Sequence, residues 1–338
     1  MIIDQAAGGT APPTSSTVVA LSGGVGGAKL VLGLAGVVDP STLTVIANTG
    51  DDFDHLGLRV CPDIDTLVYT LSGLSNPDQG WGRAGETDHV MEVARTLGEE
   101  TWFFLGDKDL AMHITRSRRL AVGESLTSIT LDICERLGVD SRILPMSNDF
   151  VSTLVETADG VLPFQHYFVR DRCEPLVKGF RFDGAETAIA NPQVLNALSD
   201  NRLRAVVVAP SNPFISIDPI LAVSEIRSTL DGTPAPVVAV SPIVDGDSIK
   251  GPTAKMMREL KIDVSPLEVA RRYADFLDGF VLDVVDAQLA PQIEAFGIPV
   301  QTANTVMDSL EDRVMLARVV LEFSDALSRR AGDNSVTE

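Results

Sequence analysis

A chain of 338 residues, 45% hydrophobic and 22% charged, has the make-up of a soluble globular protein with one large core or two fused ones. Its 47 acidic and 27 basic residues give a net charge of −20, which repels nucleic acid and anionic membranes, so neither is an expected partner and an anionic ligand has to be met locally. Cys61, Cys134 and Cys173 are far apart with no C-x-x-C pair, which argues against a zinc knuckle or disulfide scaffold and fits a reducing cytoplasm. No apolar run approaches the ~20 residues that cross a bilayer.

Residues 1–17, with Gly8-Gly9-Thr10-Ala11-Pro12-Pro13, read as a flexible tail without the basic and apolar regions of a secretion signal. The strand-like Val18-Val19-Ala20-Leu21 then leads through Ser22-Gly23-Gly24-Val25-Gly26-Gly27-Ala28-Lys29 into the helical Leu30-Val31-Leu32-Gly33-Leu34. A glycine-rich turn between strand and helix is where an α/β protein holds phosphate, because the backbone can approach the anion and the helix start favours negative charge. The turn is no P-loop, since Ala28 and Leu30 flank the lysine, and no dinucleotide fingerprint, since Lys29 takes the last small position. Gly23, Gly24, Val25, Gly26, Gly27 and Lys29 are therefore candidate phosphate contacts, with Lys29 either touching phosphate or facing solvent.

A second strand, Leu43 to Ala47, ends in Asn48-Thr49-Gly50-Asp51-Asp52-Phe53-Asp54, and Cys61-Pro62-Asp63-Ile64-Asp65-Thr66 opens a helix. Carboxylates at the carboxyl ends of parallel strands face the ligand crevice of an open α/β sheet. Mg²⁺ takes only one or two of them beside phosphate oxygens. Asp51 is favoured for the metal and Asp65 for receiving or orienting the proton of an attacking hydroxyl. Asp63 reads equally well as a helix cap.

Thr101 to Leu105 reads as a further strand, followed by Gly106-Asp107-Lys108-Asp109 and by helices near 109–117 and 125–137. Lys108 lies in the turn, where it would touch ligand. His113 and Arg116 share a helix face, and a lone histidine reads first as a buried, hydrogen-bonded side chain. Arg142 to Pro145 is another strand. Alternation in Ser152–Glu156 and Gln165–Val169 predicts half-exposed antiparallel strands, in an inserted β-rich segment over 151–190. A helix over Asn191–Leu198 follows.

Parallel-sheet texture resumes at 205–209, 237–240, 279–282 and 298–301, and a helix over 309–327 precedes a frayed tail at 329–338. Ser211, Asn212 and Ser216 follow one of these strands, and Lys250 with a capping Thr253 follows another; both loops offer donors to an anion. The fold expected is α/β, a Rossmann-like, mainly parallel sheet with helices on both faces. Its core is divided between 18–150 and 191–328.

In this order, Ser22 to Lys29, Asn48-Thr-Gly-Asp-Asp52, Cys61 to Thr66, Leu105-Gly-Asp-Lys-Asp109, Leu144-Pro-Met-Ser147 and Pro210-Ser-Asn-Pro213 resemble the 2-phospho-L-lactate transferase family of deazaflavin-coenzyme biosynthesis. The resemblance implies transfer of a phospho-acid, 2-phospholactyl or enolpyruvyl phosphate, from a guanosine diphospho-acid to the ribityl hydroxyl of the deazaflavin Fo, with release of GMP. It implies Mg²⁺ on Asp51 and Asp63, guanosine diphosphate on the glycine loop and Ser211-Asn212, and deazaflavin contacts from Asp63, Asp65, Lys108 and His113. Lys108 stands where the family is expected to carry arginine, and keeps the charge without the bidentate fork. A cytoplasmic homodimer is also implied. The alternative is a non-catalytic regulator that binds a nucleotide sugar, from a related family with a similar glycine loop and Asn-Thr-x-Asp-Asp pattern.

Overall fold

The computed structural model describes residues 16–77 and 79–335. Residues 1–15 of the expected amino-terminal tail, and 336–338 at the other end, lie outside them.

Seven strands form one parallel sheet: β1 (Thr17–Ser22), β2 (Leu43–Ala47), β3 (Arg142–Pro145), β4 (Leu203–Val208), β5 (Val237–Val240), β6 (Gly279–Asp283) and β7 (Val300–Ala303). Their spatial order is β7-β6-β5-β4-β1-β2-β3. The central strands are largely apolar because both faces are covered, as parallel sheets require. Val18 and Ala20 of β1 enter the core under helices Gly24–Ala35 and Leu310–Ser335, whereas Val19 and Leu21 enter the opposite core with Val194, Ile226 and Val269 of three other helices. The first two helices cross closely at Gly33, whose missing side chain lets the Arg313 carbonyl approach.

The chain steps from β1 outward to β2 and β3, then returns to β4 on the other side of β1 and steps outward again to β7. The loops leaving β1 and β4 therefore diverge at their carboxyl ends, which is the crevice where open α/β sheets bind ligand. A short hairpin, Phe53–His55 with Leu58–Val60, turns on Leu56 and Gly57, both at positive φ. It folds the chain back so that the acidic motif after β2 meets the one opening helix Pro62–Leu71.

Between β3 and β4 lies a separate antiparallel sheet of Gly160–Pro163, Ser152–Thr157 and Val177–Asp183, in that order. The predicted strand Gln165–Val169 is instead a wide π-helical turn, His166–Arg170, with Phe164 stacked on Phe168 at 5.3 Å. Thr101–Leu105 is not a strand either. Its rings pack on one another and on the hairpin, Phe103 against Phe53 at 4.9 Å and Trp102 against His55 at 5.1 Å, so burial of aromatics produced the apolar pattern. The closing helix continues to Ser335, so the end expected to fray from Arg329 is helical that far.

Candidate active site

Gly23 is extended after β1 and Gly24 takes a φ of +64°, so the chain turns sharply into its helix. No side chain within that helix caps it and its first turn holds no acid; the cap comes from elsewhere. Asp63 Oδ1 accepts the Gly24 N–H at 2.6 Å, and Asp63 Oδ2 accepts Asn48 Nδ2 at 2.9 Å. Ser211 closes the other side, its Oγ accepting the Gly23 N–H at 3.2 Å and donating to the Gly23 carbonyl at 2.8 Å. The loops after β1, β2 and β4 are thus one hydrogen-bonded unit. Asp63 caps the glycine-loop helix rather than its own.

Above this unit opens a cavity of about 950 Å³. One end is built from Gly23, Gly24, Val25, Gly26 and Lys29, faced by Ser211, Asn212, Ser216, Lys250 and Thr253. Lys29 Nζ donates to the Met307 carbonyl at 2.6 Å, and Lys250 Nζ to that of Gln79 at 3.3 Å. Burial, then the positive charges of Arg313 and Lys250, lower the Lys29 pKa; an anion between the two lysines would reverse that. The wall also includes Trp81, Trp102, Phe103, Phe104 and Phe168, an apolar aromatic lining suited to a fused ring system.

Carboxylates line the same cavity. Asp51 lines the cavity, is buried, and leaves Oδ1 without a hydrogen-bond partner. Burial first, and the neighbouring Asp63 next, push its carboxyl well above the usual range. Burial also raises Asp63 to about 6 and the adjacent Asp52, behind the wall, to about 8. Such carboxyls either hold a proton or await a cation, and an orphaned buried oxygen beside Asp63 fits a hard divalent ion with oxygen ligands.

Further along the wall, Asp65 is held by Arg116: Nη2 meets Oδ1 in a short ion pair, and Nη1 donates to Oδ2 at 3.2 Å. His113 lies 3.7 Å from Asp65 Oδ2 through Nδ1 and 3.4 Å from Asp109 Oδ2 through Nε2. The Tyr69 hydroxyl donates to Asp109 Oδ1. Asp109, His113 and Arg116 recur at helical spacing on Asp107–Ala121 and meet Asp65 and Tyr69 from the facing helix.

A family model described as "2-phospho-L-lactate transferase CofD" matches residues 18–320. Among curated relatives, the phosphoenolpyruvate transferase of Kitasatospora aureofaciens is 38% identical over 315 residues, 91% of this chain and 98% of that protein. The 2-phospho-L-lactate transferase of Methanosarcina mazei is 37% identical over 305 residues, 90% of this chain and 99% of that protein. The chain belongs to the 2-phospho-L-lactate transferase family. Of solved structures, a UPF0052 family member from Bacillus halodurans covers 91% of the chain and 99% of its own, with a TM-score of 0.59 at 14% identity; at that identity it speaks for the shared fold.

In this family member, most residues singled out by sequence gather at the cavity, and two do not. Gly27 faces inward, where a side chain would strike the Ser22 and Ser211 hydroxyls, so it serves packing. Lys108 is exposed, absent from the wall, and donates Nζ to the Gly85 carbonyl; helix Asp107–Ala121 begins there, capped by Glu86 on the Lys108 and Asp109 amides at 2.8 and 2.9 Å, which turns the lysine outward. Thr253 lines the cavity without capping its helix, whose N-cap is Pro252. Asn212 caps the turn that follows it, Oδ1 accepting the Phe214 N–H at 2.9 Å.

Sequence reasoning missed the aromatic wall and the Arg116, Asp109 and Tyr69 network. The i, i+4, i+7 spacing of Asp109, His113 and Arg116 was the signal available. Among the described residues no helix is long and apolar enough to cross a membrane.

Proposed function

We propose that this protein transfers a phospho-acid, 2-phospholactyl or enolpyruvyl phosphate, from a guanosine diphospho-acid to the terminal ribityl hydroxyl of Fo, releasing GMP. The observation that carries this reading is one cavity lined by a glycine loop with two lysines, by a group of aromatic rings and by carboxylates. Membership of the family and the names of its relatives point the same way. Mass spectrometry of the product formed with each donor distinguishes phospholactate, phosphoenolpyruvate and phosphoglycerate as the group carried.

The hydroxyl oxygen forms a bond to the phosphorus bearing the acid as the bond from that phosphorus to the GMP oxygen breaks, and the hydroxyl proton passes to a carboxylate or to water. The glycine loop, with Ser211 and Asn212, would bind the diphosphate, and Lys29 and Lys250 would offset its charge. Asp51 and Asp63 would hold Mg²⁺, which when bound supplies charge stabilisation on the diphosphate oxygens. Asp65, with both oxygens engaged by Arg116, still has lone pairs for a substrate hydroxyl. In a loose phosphoryl-transfer transition state little proton transfer is needed, so orienting the hydroxyl is the larger service. The aromatic wall would hold the deazaflavin ring, with the edge of His113 nearby. The same reading makes the protein a cytoplasmic homodimer, the assembly being testable by light scattering of the purified chain.

Two measurements test this function. Fo fluorescence should change on titration of the protein, whereas a regulatory protein would ignore Fo and take up a uridine sugar nucleotide. Asp65→Asn should lower single-turnover rates by about 100-fold while leaving guanosine diphosphate affinity near wild type; an unchanged rate would remove Asp65 from the chemistry.

A further inference from the structure

Among the described residues Arg116 is the largest of the fully buried side chains, and the transfer chemistry proposed above gives it no task. Its guanidinium spends every contact on one corner of the cavity wall. Besides the two bonds to Asp65, Nη1 reaches the Arg59 carbonyl at 3.2 Å and His113 Nδ1 at 3.3 Å. Burial opposes its charge, but Asp65 more than compensates, so its pKa is raised and it stays cationic.

We infer that Arg116 is a positioning residue: it fixes the proton of His113 on Nε2 and aims the Asp65 carboxylate, so that the wall offers a substrate polyol or amide one set acceptor beside one set donor. A guanidinium only donates. With Nη1 3.3 Å from His113 Nδ1, a neutral ring is favoured with its hydrogen on Nε2, which turns a lone pair rather than an N–H toward the cation. That nitrogen is buried with no hydrogen-bond partner, 3.4 Å from an Asp109 oxygen whose twin is occupied by Tyr69. Were Arg116 absent, Asp65 Oδ2, 3.7 Å from Nδ1, would draw the proton to the other side of the ring. The donor toward Asp109 and the cavity would then be lost.

Asp65, Asp109 and His113 lie close enough together to suggest a metal site. Arg116 argues against it, because its cation already matches Asp65 and stands 3.3 Å from His113 Nδ1, where it would repel a metal ion. A purely stabilising role is also weak, since buried ion pairs contribute little net stability over apolar packing. What the arrangement supplies is fixed geometry at the reacting end of the acceptor.

The effect on turnover rests on the transferase reading; the tautomer does not. In wild type, side-chain ¹⁵N NMR recorded where the ring is neutral should show His113 as the Nε2–H form. Arg116→Met should move the proton to Nδ1. It should also lower kcat by about 10–100-fold, as loss of an outer partner typically does, with the KM for the guanosine donor unchanged. Should Arg116→Met not fold, Arg116→Lys carries the test: the charge without the fork should restore the Nε2–H form and only part of kcat. A wild-type His113 protonated on Nδ1 overturns the inference, as does Arg116→Lys with wild-type kcat and KM for Fo. If wild type turns over no donor, the transferase reading fails while the tautomer measurement still decides the role of Arg116.

Discussion

Space at single atoms governs the glycine loop. A Cβ on Gly23 would come within 2.5 Å of Asp63 Oδ2 and 2.7 Å of Ser216 Cβ, and one on Gly26 within 2.5 Å of the Pro210 carbonyl oxygen. The second clash is with backbone, which cannot swing aside as a side chain does. Gly26→Ala should therefore destabilise the fold by roughly 1–3 kcal/mol and weaken guanosine diphosphate binding more than Fo binding; denaturant melts and two titrations check it. At this scale the sequence carried a great deal: a glycine run between strand and helix has few uses, and the acids after β2 are hard to place anywhere but a crevice. It could not say that Asp63 would cap a neighbouring helix, or that Lys108 would turn outward onto Gly85. Both depend on partners distant in the chain, Gly24 for one and the Glu86 cap for the other.

Elements were legible where period and neighbours agreed. Whereas the edge strand β7, Val-Gln-Thr-Ala, is only partly buried and lies two residues beyond the expected 298–301, most strands of the sheet are buried apolar runs, with Arg142–Pro145 and Val237–Val240 found to the residue. Thr101–Leu105 and Gln165–Val169 have the same texture for another reason. Their aromatic side chains line the cavity or pack on one another, and a short apolar run cannot reveal whether a sheet or a ligand wall covers it. Trp102, edge-on to His166 at 4.7 Å, is the element's test. Trp102→Ala should weaken Fo binding by on the order of 1 kcal/mol and leave guanosine diphosphate affinity unaltered, as read by Fo fluorescence and calorimetry; equal losses of both would mean that the wall is a structural core.

At the scale of the whole molecule, sheet order creates the site, and the acids gathered there leave a mark on stability. Asp63 and Asp52 titrate near 6 and 8 in the folded chain against an ordinary 3.8. Between those values the folded state binds more protons than the unfolded one, so the stabilisation present at low pH is lost as pH rises through about 6 and then about 8. Without added metal, the melting temperature should fall from pH 5 to pH 8; Asp52→Asn should flatten the upper part of that fall, and millimolar Mg²⁺ should reverse the lower part. A Mg²⁺-independent melting curve would separate Asp51 and Asp63 from metal binding. A cavity that brings an activated phospho-acid to a deazaflavin hydroxyl should yield a definite product. The most direct measurement is mass spectrometry of the products formed from Fo, Mg²⁺ and each guanosine diphospho-acid in turn. The account predicts GMP together with Fo enlarged by one phospho-acid for at least one donor, and no adduct with any of them would contradict it.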